Sequence, residues 1–388
     1  MGSPPTKKDN QAAGHSDYCA IDSPKESRLS NFERLTFVGG EDLDKALAAV
    51  SDQFSALSDR TKVEAIEPSE AQSAAEFYTQ EIWSKDPDSF FVKPSELPKV
   101  QETFVHGLKD GEIVDLAFKS AYQVRNTASQ ADFEAVSENG TAHARLWRHG
   151  DGNIATIVAI HGWSMGDQRL NSLAFLPGVF YQLGYDVALV ELPFHGRRKP
   201  KKSQAPLFPS TNLARTNEAM GQIISDLREL TLYLIGKATN EKPQARVGCL
   251  GMSLGAYVGA LWAGLDNLDF CLPIVPVCNM AEMAWSILRN LPEIEQLKSQ
   301  GLTPELLSRA YWIHSPLTHS LKVERSRLFI VAGIGDQVVP PRQPKLLWDH
   351  WGRPKMAWFG GGHAAQIKRR EAFEEVIKFL QGLHQQRN

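Results

Sequence analysis

Arg246-Val247-Gly248-Cys249-Leu250-Gly251-Met252-Ser253-Leu254-Gly255 joins a short apolar run to a Gly-x-Ser-x-Gly pattern, the mark of a serine perched on a sharp turn between a strand and a helix. A chain that reverses so abruptly leaves no room for side chains two positions either side of the serine, and the serine's own backbone is strained. The turn holds its hydroxyl outward. Ala256–Ala263 continues as an apolar, small-residue helix, so Leu254–Leu265 directs its N-terminal amides and positive dipole end toward the space beside the hydroxyl. A nucleophile and an anion site are thereby expected from one turn. The pentapeptide alone is weak, because Gly-rich turns after strands are common, and Ser253 read alone is equally an ordinary first-turn helix residue.

A serine hydroxyl is a poor nucleophile near neutral pH and needs a histidine base, itself oriented by an acid. Arg327–Gly333 reads as an apolar strand and runs into Ile334-Gly335-Asp336, putting Asp336 just past its C-terminal end. Lys355–Phe359 reads as another strand; Gly360-Gly361-Gly362-His363 follows, and then an amphipathic closing helix over Ala364–Leu383. Glu191 is the competing carboxylate, although it reads as a loop residue beside Arg197-Arg198, and the lesser alternative for Asp336 is a turn or cap aspartate. Asp266 and Asp269 fall at the wrong end of a strand for catalysis. His161 and His195 read as hydrogen-bonded loop histidines, and His314, His319 and His350 as solvated or structural ones.

The order Ser, Asp, His, each on a loop after a strand, resembles the α/β-hydrolase superfamily over roughly Glu112 to Leu383. The resemblance implies Ser253 as nucleophile, His363 as general base and acid, and Asp336 as the residue that orients the imidazole. Upstream, Ile154–Ile160 followed by His161-Gly162-Trp163-Ser164-Met165-Gly166 is similar to the family's His-Gly loop. There the backbone amides of Trp163 and Leu254 would hold the oxyanion. Pro193-Phe194-His195-Gly196 after Tyr185–Leu192 resembles the family's Pro-x-His-Gly turn. A helical lid is implied over about 279–325, with Met252, Met280, Met283 and Trp285 as pocket candidates. Core packing is the equal alternative for such residues at helical spacing.

The apolar runs 154–160, 186–192, 246–250, 270–277, 327–333 and 355–359 alternate with helical patterns at 168–183, 212–236, 254–265 and 342–351. Continuous rather than alternating hydrophobicity marks strands covered on both faces. The expected fold is therefore α/β, a doubly wound, mostly parallel sheet with the site residues along its carboxyl edge. Glu112–Tyr122 and Gly140–His149 read as the first two strands, antiparallel at the sheet's edge. Residues 1–30 read as a disordered tail and 31–100 as a helical N-terminal extension, with helices at Glu41–Leu57 and Pro68–Trp83 and an extended linker over Lys93–Pro98. Residues 101–388 are the expected catalytic domain.

The chain has 388 residues, 42 basic and 45 acidic, for a formal charge of −3. No strong overall field would attract nucleic acid or an anionic membrane, and the basic run Arg197–Lys202 reads as a solvated loop. Cys19, Cys249, Cys271 and Cys278 read as reduced thiols. The polar N-terminus has no apolar signal core, and no apolar run reaches the length of about 20 residues that crosses a bilayer. The expectation is a cytoplasmic serine hydrolase that acts on a small acyl ester, without cofactor or metal and without a nucleic-acid partner. Thioesterase, acyltransferase, peptidase or polyester depolymerase chemistry would use the same residues, and a non-catalytic ligand-binding protein of this fold is the alternative from another class. The first hundred residues could serve dimerisation, the pocket mouth or bracing of the sheet, which leaves a homo-oligomer open.

Overall fold

A computed structural model of the chain describes residues 65–203, 205–236, 246–360 and 369–385. The expected tail at 1–30, the expected helix at 41–57, Cys19, and His363 with the first residues of the closing helix lie outside these. Among the described residues one sheet is built from β1 (Gln101–Leu108), β2 (Gly111–Lys119), β3 (Thr141–His149), β4 (Thr156–Ile160), β5 (Asp186–Val190), β6 (Val247–Met252), β7 (Cys271–Ile274), β8 (Phe329–Gly333) and β9 (Lys355–Phe359). Their order across the sheet is β1-β2-β3-β5-β4-β6-β7-β8-β9. β1, β2 and β3 are antiparallel to one another and β3 to β5, while every pairing from β5 through β9 is parallel. Strands β4 to β8 are buried at every position. Helices cover both faces, so the strand sequences have no solvent side to mark with polar residues.

The helices of six or more residues are α1 (Pro68–Tyr78), α2 (Gln168–Phe175), α3 (Pro177–Gln182), α4 (Leu213–Gly236), α5 (Leu254–Leu265), α6 (Met280–Leu288), α7 (Ile294–Ser299), α8 (Pro304–Ala310), α9 (Arg342–His350) and α10 (Arg369–Gln385). On one face Leu227 and Leu230 of α4 and Leu261 and Trp262 of α5 pack with Val158, Ile160 and Cys249 of the sheet. On the other, Phe175 of α2, Phe180 of α3 and Leu380 of α10 pack with Ile157, Leu250 and Val331. Alternate residues of each strand thus feed two separate cores.

Four features depart from the sequence reading, one being that the helix expected over Pro68–Trp83 stops at Tyr78, a separate short helix following at Glu81–Lys85 after the extended Gln80. The edge strand β1 was not expected: it forms a hairpin with β2 in which Leu108 pairs with Gly111, and its polar Gln101, Glu102, Thr103 and His106 hide the strand pattern. The single helix expected over 168–183 is broken at Leu176, whose φ is 52°. Pro177 disfavours helical backbone at the residue before it and opens α3 instead. The strand expected over 270–277 stops at Ile274, because Val275 turns to a φ of 43°.

The segment ahead of the sheet is tied into the first core. Ala71, Ala74, Ala75 and Tyr78 of α1, with Phe90 and Phe91, are buried in the same cluster as α4 and α5, and α1 packs against α8. The joint has a polar centre at Glu218 of α4, which is fully buried. Its carboxylate accepts from Tyr78 Oη at 2.8 Å, Tyr122 Oη at 2.8 Å, Arg125 N at 2.7 Å and Asn126 N at 3.1 Å. A buried charge needs such a donor set. Among the described residues no helix is long and apolar enough to cross a membrane.

Candidate active site

Ser253 sits between β6 and α5 with φ 54° and ψ −113°, a backbone conformation that a residue with a side chain adopts only under strain. The two glycines are explained by close approach. A Cβ on Gly251 would lie 2.2 Å from the Gly255 carbonyl oxygen, and one on Gly255 would lie 1.9 Å from the carbonyl oxygen of Ile160. The second contact shows how tightly the loop after β4 is pressed against the elbow, since β4 and β6 are parallel neighbours with Ile160 opposite Gly251. The turn is clamped by Ser253 N donating to Ile274 O at 2.9 Å and by Ser253 O accepting from Ala256 N and Tyr257 N at 3.0 and 3.1 Å. Leu254 occupies the first helical position, where a backbone N–H has no intrahelical acceptor.

Strain is not confined to the serine. Ser164 follows β4 with φ 63°, Phe194 follows β5 with φ 59°, and Val275 follows β7 with φ 43°. Four adjacent parallel strands are therefore followed within four residues by non-glycine residues of positive φ, all on the carboxyl edge. For a β-branched residue such as Val275 this is an outlier. Its amide donates to Val331 O at 2.7 Å, and the loop beyond it is held by Gln343 Oε1, which accepts from Cys278 N and Asn279 N at 3.0 and 2.8 Å.

Asp336 is on the loop after β8 and is buried. Its Oδ1 accepts from Val338 N at 3.0 Å and Val339 N at 2.7 Å, which fixes the orientation of the carboxylate. β9 is the parallel neighbour of β8, and Ile334 N donates to Phe359 O at 3.0 Å, so the chain that runs on to His363 departs beside the Asp336 loop. The structure thus brings Ser253, Leu254, Trp163 and Asp336 to one edge of the sheet; His363 itself is outside the described residues.

The competing carboxylates are committed elsewhere. Glu191 is buried and accepts from Arg197 N at 3.0 Å, Arg197 Nε at 2.8 Å and Gln168 Nε2 at 3.1 Å. Asp266 pairs with Arg228 at 2.7 Å and Asp269 with Arg327 at 3.0 Å, both at the amino edge. The loop histidines are braces. His161 Nε2 accepts from Leu192 N at 3.1 Å, which leaves Nδ1 to donate to Gly162 O at 2.7 Å, and burial pulls its pKa down to about 4. Burial likewise holds His195 neutral and takes His314 down to about 3, where Tyr257 Oη lies 2.7 Å from its Nδ1.

One expectation fails here. The run Arg197–Lys202 is not simply a solvated loop, because Arg198 is buried, pairs with Asp226 at 2.8 Å, and donates to the carbonyls of Glu191 and Asn139. Nothing in the local sequence marks it, since its carboxylate partner lies in α4. Among the pocket candidates, Met280, Met283 and Trp285 are half-buried on the α4–α5 face, as is Trp163. Met252 is packed in the cluster on the opposite face, so the structure does not bring it to the other three. Cys249, Cys271 and Cys278 are free, buried thiols.

No protein-family model matches the chain. It is similar to an uncharacterised protein of Mycobacterium tuberculosis, 27% identical over 323 residues that span 82% of this chain and 74% of that protein. Among solved structures it resembles acetyl xylan esterase 1 of Thermoanaerobacterium sp. with a TM-score of 0.54 and 16% identity, covering 80% of this chain and 98% of that one. An acetyl xylan esterase of Paenibacillus sp. aligns with a TM-score of 0.50 and 17% identity, covering the same two shares. Those likenesses cover most of the chain and, with the mostly parallel nine-stranded sheet flanked by helices, show that the chain has the α/β-hydrolase fold.

Proposed function

We propose that the protein is a serine hydrolase that cleaves a carboxylic ester. The observation that carries this reading is the backbone of Ser253, held at φ 54° and ψ −113° between two glycines that a methyl group could not replace. Strain of that kind persists only where the surroundings over-determine it, and it costs about 1–3 kcal/mol that an ordinary helix start would avoid. In the proposed reaction Ser253 Oγ attacks the acyl carbonyl and passes its proton to His363, oriented by Asp336. The Trp163 and Leu254 amides receive the developing oxyanion. Collapse expels the alcohol, protonated by His363, and water attacks the acyl-enzyme by the same route to release the acid.

Asp336 suits the acid's role because its free movement is removed by two backbone donors, and Glu191 is occupied by Arg197. Helices α6, α7 and α8 form the proposed lid, with Met280, Met283 and Trp285 as its apolar lining. The resembling solved structures are esterases by name, which supports an acyl ester ahead of an amide or thioester. The test is labelling of the purified protein by a fluorophosphonate, with hydrolysis of p-nitrophenyl esters of graded acyl length. Labelling and turnover that both vanish in Ser253→Ala are expected. A folded wild type that neither labels nor turns over would favour a ligand-binding protein of the same fold.

A further inference from the structure

At the amino edge of the sheet, away from the elbow, lies a cavity of about 630 Å³ between the second half of α4, the end of α5 and the segments that enter β6, β7 and β8. That volume is in the range of small-molecule sites, roughly 300–1,000 Å³. Part of its wall is apolar, from Leu232, Ile235, Val247 and Leu268. Ile235, near the end of α4, is 43% exposed, so its side chain is open to an occupant of the cavity.

The charged part of the wall is unbalanced in a specific way. Its three carboxylates are already engaged: Asp266 by Arg228 at 2.7 Å, Asp269 by Arg327 at 3.0 Å, and Glu324 by Arg327 at 3.5 Å. Lys93 is held by Asp88 at 2.6 Å. Arg246, half-buried at the mouth of β6, is the remaining cation, and among the described residues its guanidinium has neither a carboxylate nor a hydrogen-bond acceptor. A partly desolvated guanidinium beside an apolar wall presents a planar, two-pronged donor set to an anion.

We infer that this cavity is a second binding site, separate from the elbow, for an amphipathic carboxylate whose head is received by Arg246 and whose apolar body lies along Leu232, Ile235 and Leu268. Among the described residues one uncommitted cation faces the cavity, which selects a single negative charge. The aliphatic wall selects a hydrocarbon body over a sugar or nucleotide. The site is about 20 Å from Ser253 along β6, at 3.3 Å per residue, so an occupant there leaves the nucleophile uncovered.

The test is isothermal titration of octanoate into full-length Ser253→Ala protein, which removes turnover from the measurement. Saturable one-to-one binding is expected, weaker by about tenfold or more in Arg246→Gln, and weaker again for octanol or octylamine. Arg246→Gln removes no hydrogen bond or ion pair among the described residues, where only the Arg246 carbonyl is bonded. A second variant, Ile235→Asp, alters an exposed position and is expected to abolish binding by setting a carboxylate in the wall. Melting curves equal to the parent's confirm that both variants fold. Absence of octanoate binding, or binding that both variants leave unchanged, would overturn the assignment, and the latter would place the ligand in the cleft at the opposite edge. Neither outcome depends on whether Ser253 is a nucleophile.

Discussion

The two edges of the sheet are built on opposite terms. Along the carboxyl edge, four parallel strands are followed within four residues by Ser164, Phe194, Ser253 and Val275, all with positive φ, and the loops press so closely that Gly255 admits no methyl group. Along the amino edge the chain enters its strands through arginine–carboxylate pairs, Arg228 with Asp266 and Arg327 with Asp269, and through His149 with Asp186 at 2.8 Å. Among the described residues the other non-glycine positions of positive φ, Leu176 and Arg353, sit between two helices and ahead of β9. Strain is concentrated where chemistry is proposed, and cohesion is supplied at the other end. Such a division is expected when a site needs a shape that the backbone would not adopt unaided.

Changes at the two edges should therefore separate activity from stability. Asp336→Asn is expected to lower kcat by about 10³–10⁴-fold while the melting temperature hardly moves, because an amide keeps the Oδ1 acceptor but not the charge that supports the imidazolium. Glu191→Gln, with its partner Arg197 left short of a charge, should retain turnover; the reverse pattern would transfer the acid's role to Glu191. Arg228→Ala should do the opposite of Asp336→Asn. It strips Asp266 of its cation and leaves Asp88 with Lys93 alone, and is expected to cost about 3 kcal/mol in denaturant unfolding with kcat intact below the transition.

A smaller effect depends on pH. Burial, with the neighbouring Asp226 carboxylate as the second cause, pushes the Glu229 carboxyl up to about 7. The folded state then binds this proton more tightly than the unfolded chain, whose value is near 4.5. Stability from this group is present below the unfolded value and is lost as the pH rises through the folded one. Glu229→Gln, which can still accept from Ala121 N, should raise the unfolding free energy at pH 8 by about 1–2 kcal/mol and change little at pH 4. Smallest of all, Ser164→Gly relaxes a φ of 63° at a half-buried position with little side chain to lose. It should stabilise the fold by up to about 1 kcal/mol yet slow turnover a few-fold, as strain released at the active edge loosens the site. A stabilised variant with undiminished kcat would sever strain from function.

The strands were legible because burial on both faces leaves a continuous apolar record, as in Thr156–Ile160 and Phe329–Gly333. The elbow was legible because Gly251 answers a clash with Gly255 only four residues on, whereas the neighbour that requires glycine at 255 is Ile160, on a different strand. What escaped was set by distant partners. Arg198 looks like its basic neighbours until Asp226 of α4 is folded against it, and Glu218 looks like any helical glutamate until donors 92 to 140 residues away converge on it. The edge strand β1 has its polar residues because only one side of its ladder is paired. The separation of Met252 from the other pocket candidates was hidden too: it adjoins Ser253 in sequence, yet alternation along β6 turns its side chain to the other core.

The buried Glu218 carboxylate also sets a timetable. Tyr78, one of its donors, leaves the ribosome 140 residues before Glu218, a delay of roughly 7–30 s at about 5–20 residues per second. During that interval the apolar side of α1, with Phe90 and Phe91, has neither α4 nor α8 to cover it. The newborn chain must keep this segment from sticking elsewhere, so demand for a chaperone should be heaviest in the first half of synthesis, and should ease once α4 has emerged.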